Sequence, residues 1–199
     1  MCNKSTLFLV NIVKGEKMQF QEYDVNKLES LIGNVATGDL KSLEELYVLT
    51  NTAVYGFALS MMKNKSDAED IVHDSYLSVL RASANYQAFG KPFAWILKIT
   101  RNLCLDQLRK QERIVDVAIE DWMLVDHPNA KEDKALLEIS FQALSDEERE
   151  IVYLHALTGL KFKEIAEVLN KPLTTILSKY HRALKKLKKE MTEKGLYEK

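Results

Sequence analysis

Two groups of side chains in this sequence are spaced to do chemistry. Asp67, Glu69, Asp70, His73 and Asp74 crowd four carboxylates and an imidazole into eight positions. At separations of three and four residues such groups share one face of a helix, where they suit a basic partner helix. Asp70 with His73 and Asp74, or Glu69 with His73, also have a metal ligand's helical spacing. No second cluster completes a coordination shell, since His127, His155 and His181 are scattered, so neither a metal nor a cofactor is expected. The second group is basic: Ser178, Lys179, His181, Arg182, Lys185, Lys186, Lys188 and Lys189 cover most of a helix that keeps Ile176, Tyr180, Ala183, Leu184 and Leu187 on its other face.

The elements that must position the basic group are legible. Ser145 and Glu148 form a capping box ahead of Ile151, Val152, Leu154 and Leu157, and Gly159 ends that helix. A short helix runs from about Phe162 to Leu169, a break follows at Asn170, Lys171 and Pro172, and a long helix continues to about Met191. Ile165, Ala166, Leu169 and Ile176 are the apolar contacts of a helix-turn-helix, and Asn170 stands at the turn, where Asn tolerates the left-handed conformation. A helix whose first turns enter a major groove and whose later turns carry Lys and Arg can read base edges and hold phosphates. Charge supports this. Residues 112–150 hold twelve acidic and four basic residues, whereas 161–189 hold nine basic residues against Glu164 and Glu167. The net charge of −1 conceals this asymmetry.

The acidic group needs a different frame. Val25, Leu28, Leu31, Ile32 and Val35 recur at helical spacing, and Gly38 with Asp39 reads as a stop and a new N-cap. A second helix carries Leu43, Leu46, Tyr47, Val54, Phe57 and Met61. Ser66 and Glu69 read as a capping box opening a third helix through Ala82, with Ile71, Tyr76, Val79 and Leu80 apolar. After a loop containing Gly90 and Pro92, a fourth helix spans about 93–110, with Phe93 read as core and Trp95 open between core and surface. The expectation is an all-α chain of two helical modules, 25–110 and 134–199, joined by a flexible acidic linker at 111–133. Residues 1–24 are expected to be a disordered extension or a start-site artefact, because Lys14–Lys17 can be encoded by a purine-rich ribosome-binding sequence just ahead of Met18.

Bulk composition narrows the classes further. With 46% hydrophobic residues, only seven Gly and three Pro, the chain is neither disordered nor all-β. Two distant cysteines, Cys2 and Cys104, fit a reducing cytoplasm, and the apolar run at residues 7–13 is too short for a membrane span.

The stretches DAEDIVHDSYLSVLRA (residues 67–82) and FAWILKITRNLCLDQLRK (residues 93–110) resemble conserved region two of bacterial RNA polymerase sigma factors. ALSDEEREIVYLHALTGLKFKEIAEVLNKPLTTILSKYHRALKKLKKEM (residues 143–191) resembles region four. With nothing resembling region three between them, the layout is similar to the extracytoplasmic-function group.

The resemblance implies a non-enzymatic factor that binds core RNA polymerase, recognises promoter DNA and helps to melt it, with an anti-sigma factor as a further partner. It implies Asp67, Glu69, Asp70, His73 and Asp74 as the core-polymerase face, although the family usually has Gln and Glu where His73 and Asp74 stand. It places minus-10 recognition on Tyr86, Phe89, Lys91, Trp95, Lys98, Arg101 and Asn102, where aromatic walls and polar edges suit a base flipped from the stack. Minus-35 recognition falls on Leu173, Thr174, Thr175, Ser178, Lys179, His181 and Arg182, with Lys186 and Lys189 further along the helix. Leu177 stands where the family usually has Lys, and Lys161 where a capping Ser or Thr is usual.

A DNA-binding activator with a sensing N-terminal bundle is the rival class, and residues 67–110 argue against it. A hydrolase or metalloenzyme would need a nucleophile elbow, a phosphate loop or a full ligand set.

Overall fold

The computed structural model describes residues 23–111, 143–193 and 195, which fall into two compact units. All regular elements among them are helical. The first unit is a bundle of α1 (Val25–Ala36), α2 (Leu40–Met62), α3 (Lys65–Ala82) and α4 (Pro92–Gln111), with a 3-10 turn at Ser83–Asn85.

Local chemistry sets the helix ends. Asp24 accepts the Lys27 amide at the start of α1, and Gly38, at φ 94°, closes it, with Gly38 N–H donating to Val35 O and Asp39 N–H to Asn34 O. Asp39 then caps α2 through the Lys41 amide and the Ser42 hydroxyl. The start of α3 differs from the sequence expectation. Asn64, not Ser66, is the N-cap and accepts the Asp67 amide at 3.0 Å, while Lys63 takes the left-handed turn at φ 57° that ends α2. Ser66 already lies inside the first turn of α3, where its hydroxyl cannot fill the cap position.

Leu28, Ile32, Leu46, Phe57, Ile96 and Leu97 are fully buried in this unit, each contributing roughly 1.5–3 kcal/mol by burial. The Tyr76 hydroxyl meets Thr50 at 2.7 Å inside the core, and burial raises its pKa. Five of the expected apolar positions are only partly covered: Leu43, Met61 and Leu80 are half-buried, Val25 is exposed at the start of α1, and Tyr47 is exposed with its ring on the edge of Tyr76. Tyr23 and Asp24, assigned to the extension, belong to this unit: Asp24 caps α1, and Tyr23 lies 4.1 Å from Phe93, which is buried as expected. Met18, the linker beyond Gln111 and the expected start of the second module near Leu136 lie outside the described residues.

The second unit contains α5 (Asp146–Val152), which runs into a π turn at Tyr153–Leu157, then α6 (Phe162–Leu169) and α7 (Leu173–Glu193). The capping box is complete: Glu148 N–H donates to Ser145 Oγ, and Ser145 N–H to Glu148 Oε2. Ile151, Leu154, Ile165, Ile176 and Leu187 are fully buried, and His155, Phe162 and Tyr180 pack ring against ring beside them. Asn170, at φ 50°, makes the turn between α6 and α7, with Lys171 N–H donating back to Ala166 O. Lys161 opens α6 without a side-chain cap, and the Glu164 carboxylate takes its N–H at 2.7 Å in place of the usual Ser or Thr.

Candidate nucleic-acid and partner interfaces

The acidic face of α3 follows from which side of the helix is buried. Ala68, Ile71, Val72, Ser75, Tyr76 and Val79 point into the bundle, so Glu69, Asp70, His73 and Asp74 form an exposed stripe at helical spacing. Asp67 stands apart from it. It is half-buried at the first turn and accepts Gln111 Nε2 at 2.8 Å, which ties the start of α3 to the end of α4. Among the described residues no group of three or more His, Cys, Asp or Glu is placed to hold a metal ion.

The loop at residues 86–91 and the outer side of α4 make a second surface. Pro92 begins α4, as its fixed φ favours at a first helical position. Ile96, Leu97, Thr100 and Cys104 face the core, which leaves Lys98 and Asn102 exposed and Arg101 half-buried. The Tyr86 and Trp95 rings, both half-buried, meet at 4.8 Å and 54°, resolving Trp95 as partly surface. Phe89 is 74% exposed at the loop tip, and Lys91 is half-buried at its foot. The Tyr86 hydroxyl, raised to about 12 by burial and by Glu29, donates to Glu29 on α1. Glu29 carries no motif, and no local signal in the sequence connects it to this loop.

On α7, Ile176, Tyr180, Ala183, Leu187 and Met191 are buried. The opposite stripe, Thr174, Ser178, His181, Arg182, Lys185, Lys188 and Lys189, is exposed, with Leu173, Thr175 and Leu177 half-buried at its margins. Two residues expected to contact DNA are ion-paired within the unit. Lys179 is ion-paired with Glu147 of α5, and Lys186 with Glu148 at 2.6 Å. Glu147 also receives Lys171 from the turn. Hydrogen bonds from Lys171 and Lys179 hold the Glu147 carboxyl at about 2. Burial opposes ionisation of Glu148, but Lys186 and the Ser145 cap together keep its carboxyl below the usual range. On a helical projection, Lys179 and Lys186 lie at the border between the buried and exposed faces, where a long side chain can turn back to a neighbouring carboxylate.

A tight helical pair ending in an exposed basic helix has the shape and charge suited to duplex DNA, and the acidic face of the bundle suits a basic partner. The sigma-70 region 2 model matches residues 46–114, and the sigma-70 region 4 model matches residues 140–187. The ECF RNA polymerase sigma factor SigE of Mycolicibacterium smegmatis is 33% identical over 165 residues, a match that spans 77% of this chain and 64% of that protein. SigX of Bacillus subtilis, also an ECF sigma factor, is 26% identical over 167 residues, spanning 76% and 84%. In fold, the chain is similar to RpoE of Bartonella quintana, solved with the anti-sigma factor NepR, at TM-score 0.68 and 24% identity, covering 76% of this chain and 98% of that one. CnrH, solved with the cytosolic domain of CnrY, gives TM-score 0.64 at 21% identity, covering 84% and 98%. The chain belongs to the sigma-70 family of RNA polymerase sigma factors, in its extracytoplasmic-function group. Promoter recognition in transcription initiation, in partnership with core RNA polymerase, is the role this family carries.

Proposed function

We propose that this chain directs core RNA polymerase to promoters by dividing the work among three surfaces, with no catalysis of its own. Glu69, Asp70, His73 and Asp74 meet a basic element of core polymerase. Tyr86, Phe89, Lys91, Trp95, Lys98, Arg101 and Asn102 hold the opened minus-10 strand, the aromatic groups stacking on bases and the cations following phosphates. Leu173, Thr174, Thr175, Ser178, His181 and Arg182 enter the major groove at minus-35, while Lys185 and Lys189 neutralise phosphates.

The observation that carries this reading is the unbroken exposed polar stripe of α7, seated by the left-handed turn at Asn170. Lys179 and Lys186 act within it as struts that fix the angle of α7 on α5. Asp67 has the same kind of task for α3. On this reading the first module is 25–110 extended by Tyr23, Asp24 and Gln111, the second is 134–199, an acidic linker joins them, and the site of action is the cytoplasm. No described helix is long and apolar enough to cross a membrane. By analogy with RpoE, which was solved with the anti-sigma factor NepR, an anti-sigma factor is a further partner of this chain.

In vitro transcription with purified core polymerase over a library of random promoters tests the proposal. Initiation from a subset sharing two spaced elements is the expected result, and transcription indistinguishable from core alone overturns it.

A further inference from the structure

We infer that Glu29, on α1 and outside every recognised motif, is a positioning residue for strand separation: its carboxylate holds the loop at residues 86–90 in the bend that keeps Phe89 in solvent. The inference deepens the minus-10 assignment above and rests on it. One carboxylate oxygen, Glu29 Oε1, accepts the Gly90 N–H at 2.7 Å and the Tyr86 hydroxyl at 3.3 Å. It therefore bridges both ends of the loop from a helix 57 and 61 residues away in the chain.

The post itself is firm. Glu29 follows Leu28, and Ile32 lies three residues on; both are fully buried, so α1 cannot shift without disturbing the core. The loop is held at two further points, by the Tyr86 ring against Trp95 and by Gly90 in the left-handed region at φ 73°, a conformation side chains other than Gly rarely adopt. Between them Gln87, Ala88 and Phe89 are exposed, and little packing covers this stretch.

An irregular loop without packing samples many conformations unless something orders it in advance. A charged acceptor on a backbone N–H is the strongest such restraint here. With the loop ordered before DNA arrives, Phe89 is presented as a ready platform for a base leaving the stack, and the ordering entropy is not drawn from the melting step. Glu29 touches no base in this arrangement and acts through Gly90 and Tyr86.

The test uses the full chain with core polymerase on a promoter selected by the wild-type holoenzyme from a random library. The promoter is prepared as intact duplex and as a pre-melted heteroduplex, with 2-aminopurine in the minus-10 non-template strand. Glu29→Ala is expected to bind core and closed duplex as wild type but to unstack the probe about tenfold more slowly, the scale of one lost hydrogen bond to a charged acceptor. The pre-melted template should restore it to within about twofold, because the missing order then matters less. Glu29→Gln, whose amide oxygen still accepts the Gly90 N–H, should retain about half the wild-type rate or more, since only the charge assistance is lost. Glu29→Asp, which withdraws the carboxylate by one methylene, serves as a second variant and should behave like Glu29→Ala. Wild-type melting by both shortened variants, or equal loss on duplex and pre-melted templates, overturns the inference. A wild-type holoenzyme that selects and opens no promoter overturns instead the function on which it rests.

Discussion

Lys179 of α7 is ion-paired with Glu147 of α5, so a lysine at the border of the basic stripe is turned toward the neighbouring helix instead of outward. Lys171 shares the same carboxylate, which places a single acidic group between the turn and the long helix that follows it. Lys186 repeats the arrangement two turns later with Glu148.

The first prediction separates struts from DNA contacts. Lys179→Ala should lower the stability of the second unit by up to about 1 kcal/mol, as for a partly exposed ion pair, and leave the order of promoter preference unchanged. Arg182→Ala should cost about 1–3 kcal/mol in binding minus-35 duplex if it reads a base edge, and relax the preference there. Lys189→Ala should lower the slope of log affinity against log salt by about one unit, while Lys186→Ala changes it less. Fluorescence anisotropy over a salt series, paired with chemical denaturation, gives all four values. A relaxed minus-35 preference in Lys179→Ala would return that residue to the DNA-contacting set.

Acid should act on the Glu147 cluster in a defined window. Its carboxyl lies at about 2 in the folded chain against an ordinary 4.5, so the unfolded state binds the proton more tightly. The stability this contributes is fully present above 4.5 and is lost as pH falls toward about 2. Denaturation of wild type and Glu147→Gln across that range should show two curves that converge on acidification. Curves that stay parallel to pH 2 would mean the cluster is not held by charge.

Reversing Asp70 and Asp74 to Lys should weaken assembly with core polymerase by about 2–5 kcal/mol if those carboxylates are desolvated at the contact. Both are exposed, so the unfolding midpoint should stay near that of wild type. Asp67→Lys should behave differently, lowering stability as well, because Asp67 receives Gln111 and sits in the first turn of α3. Unchanged core affinity in the double reversal removes this face from the proposed interface.

The start of α3 offers a test on stability alone. Asn64→Ala should cost about 1 kcal/mol through loss of the cap, and Ser66→Ala less than about 0.5 kcal/mol. Urea denaturation of the two variants measures this, and the reverse order would restore Ser66 as the cap.

Most of the helical framework was legible in the sequence because it depends on neighbours in the chain. Leu28, Leu31, Ile32 and Val35 mark one helix by spacing alone, Gly38 and Asp39 mark its end, and Asn170 marks the turn, since tolerance of the left-handed region is a property of the residue itself. The exposed stripes on α3 and α7 followed from the same periodicity. Even local signals could mislead where two polar residues compete for one cap, as at Asn64 and Ser66, because the register of the first turn decides which side chain reaches an amide. Other features needed the tertiary structure. Tyr23 joins the first unit through a tertiary contact with Phe93, Tyr47 lies at the edge of the core and not within it, and Glu29 reaches Gly90 across 61 residues. The direction of Lys179 and Lys186 belongs to the same class: a lysine beside a core face can extend into solvent or turn to a carboxylate, and only the position of α5 decided which.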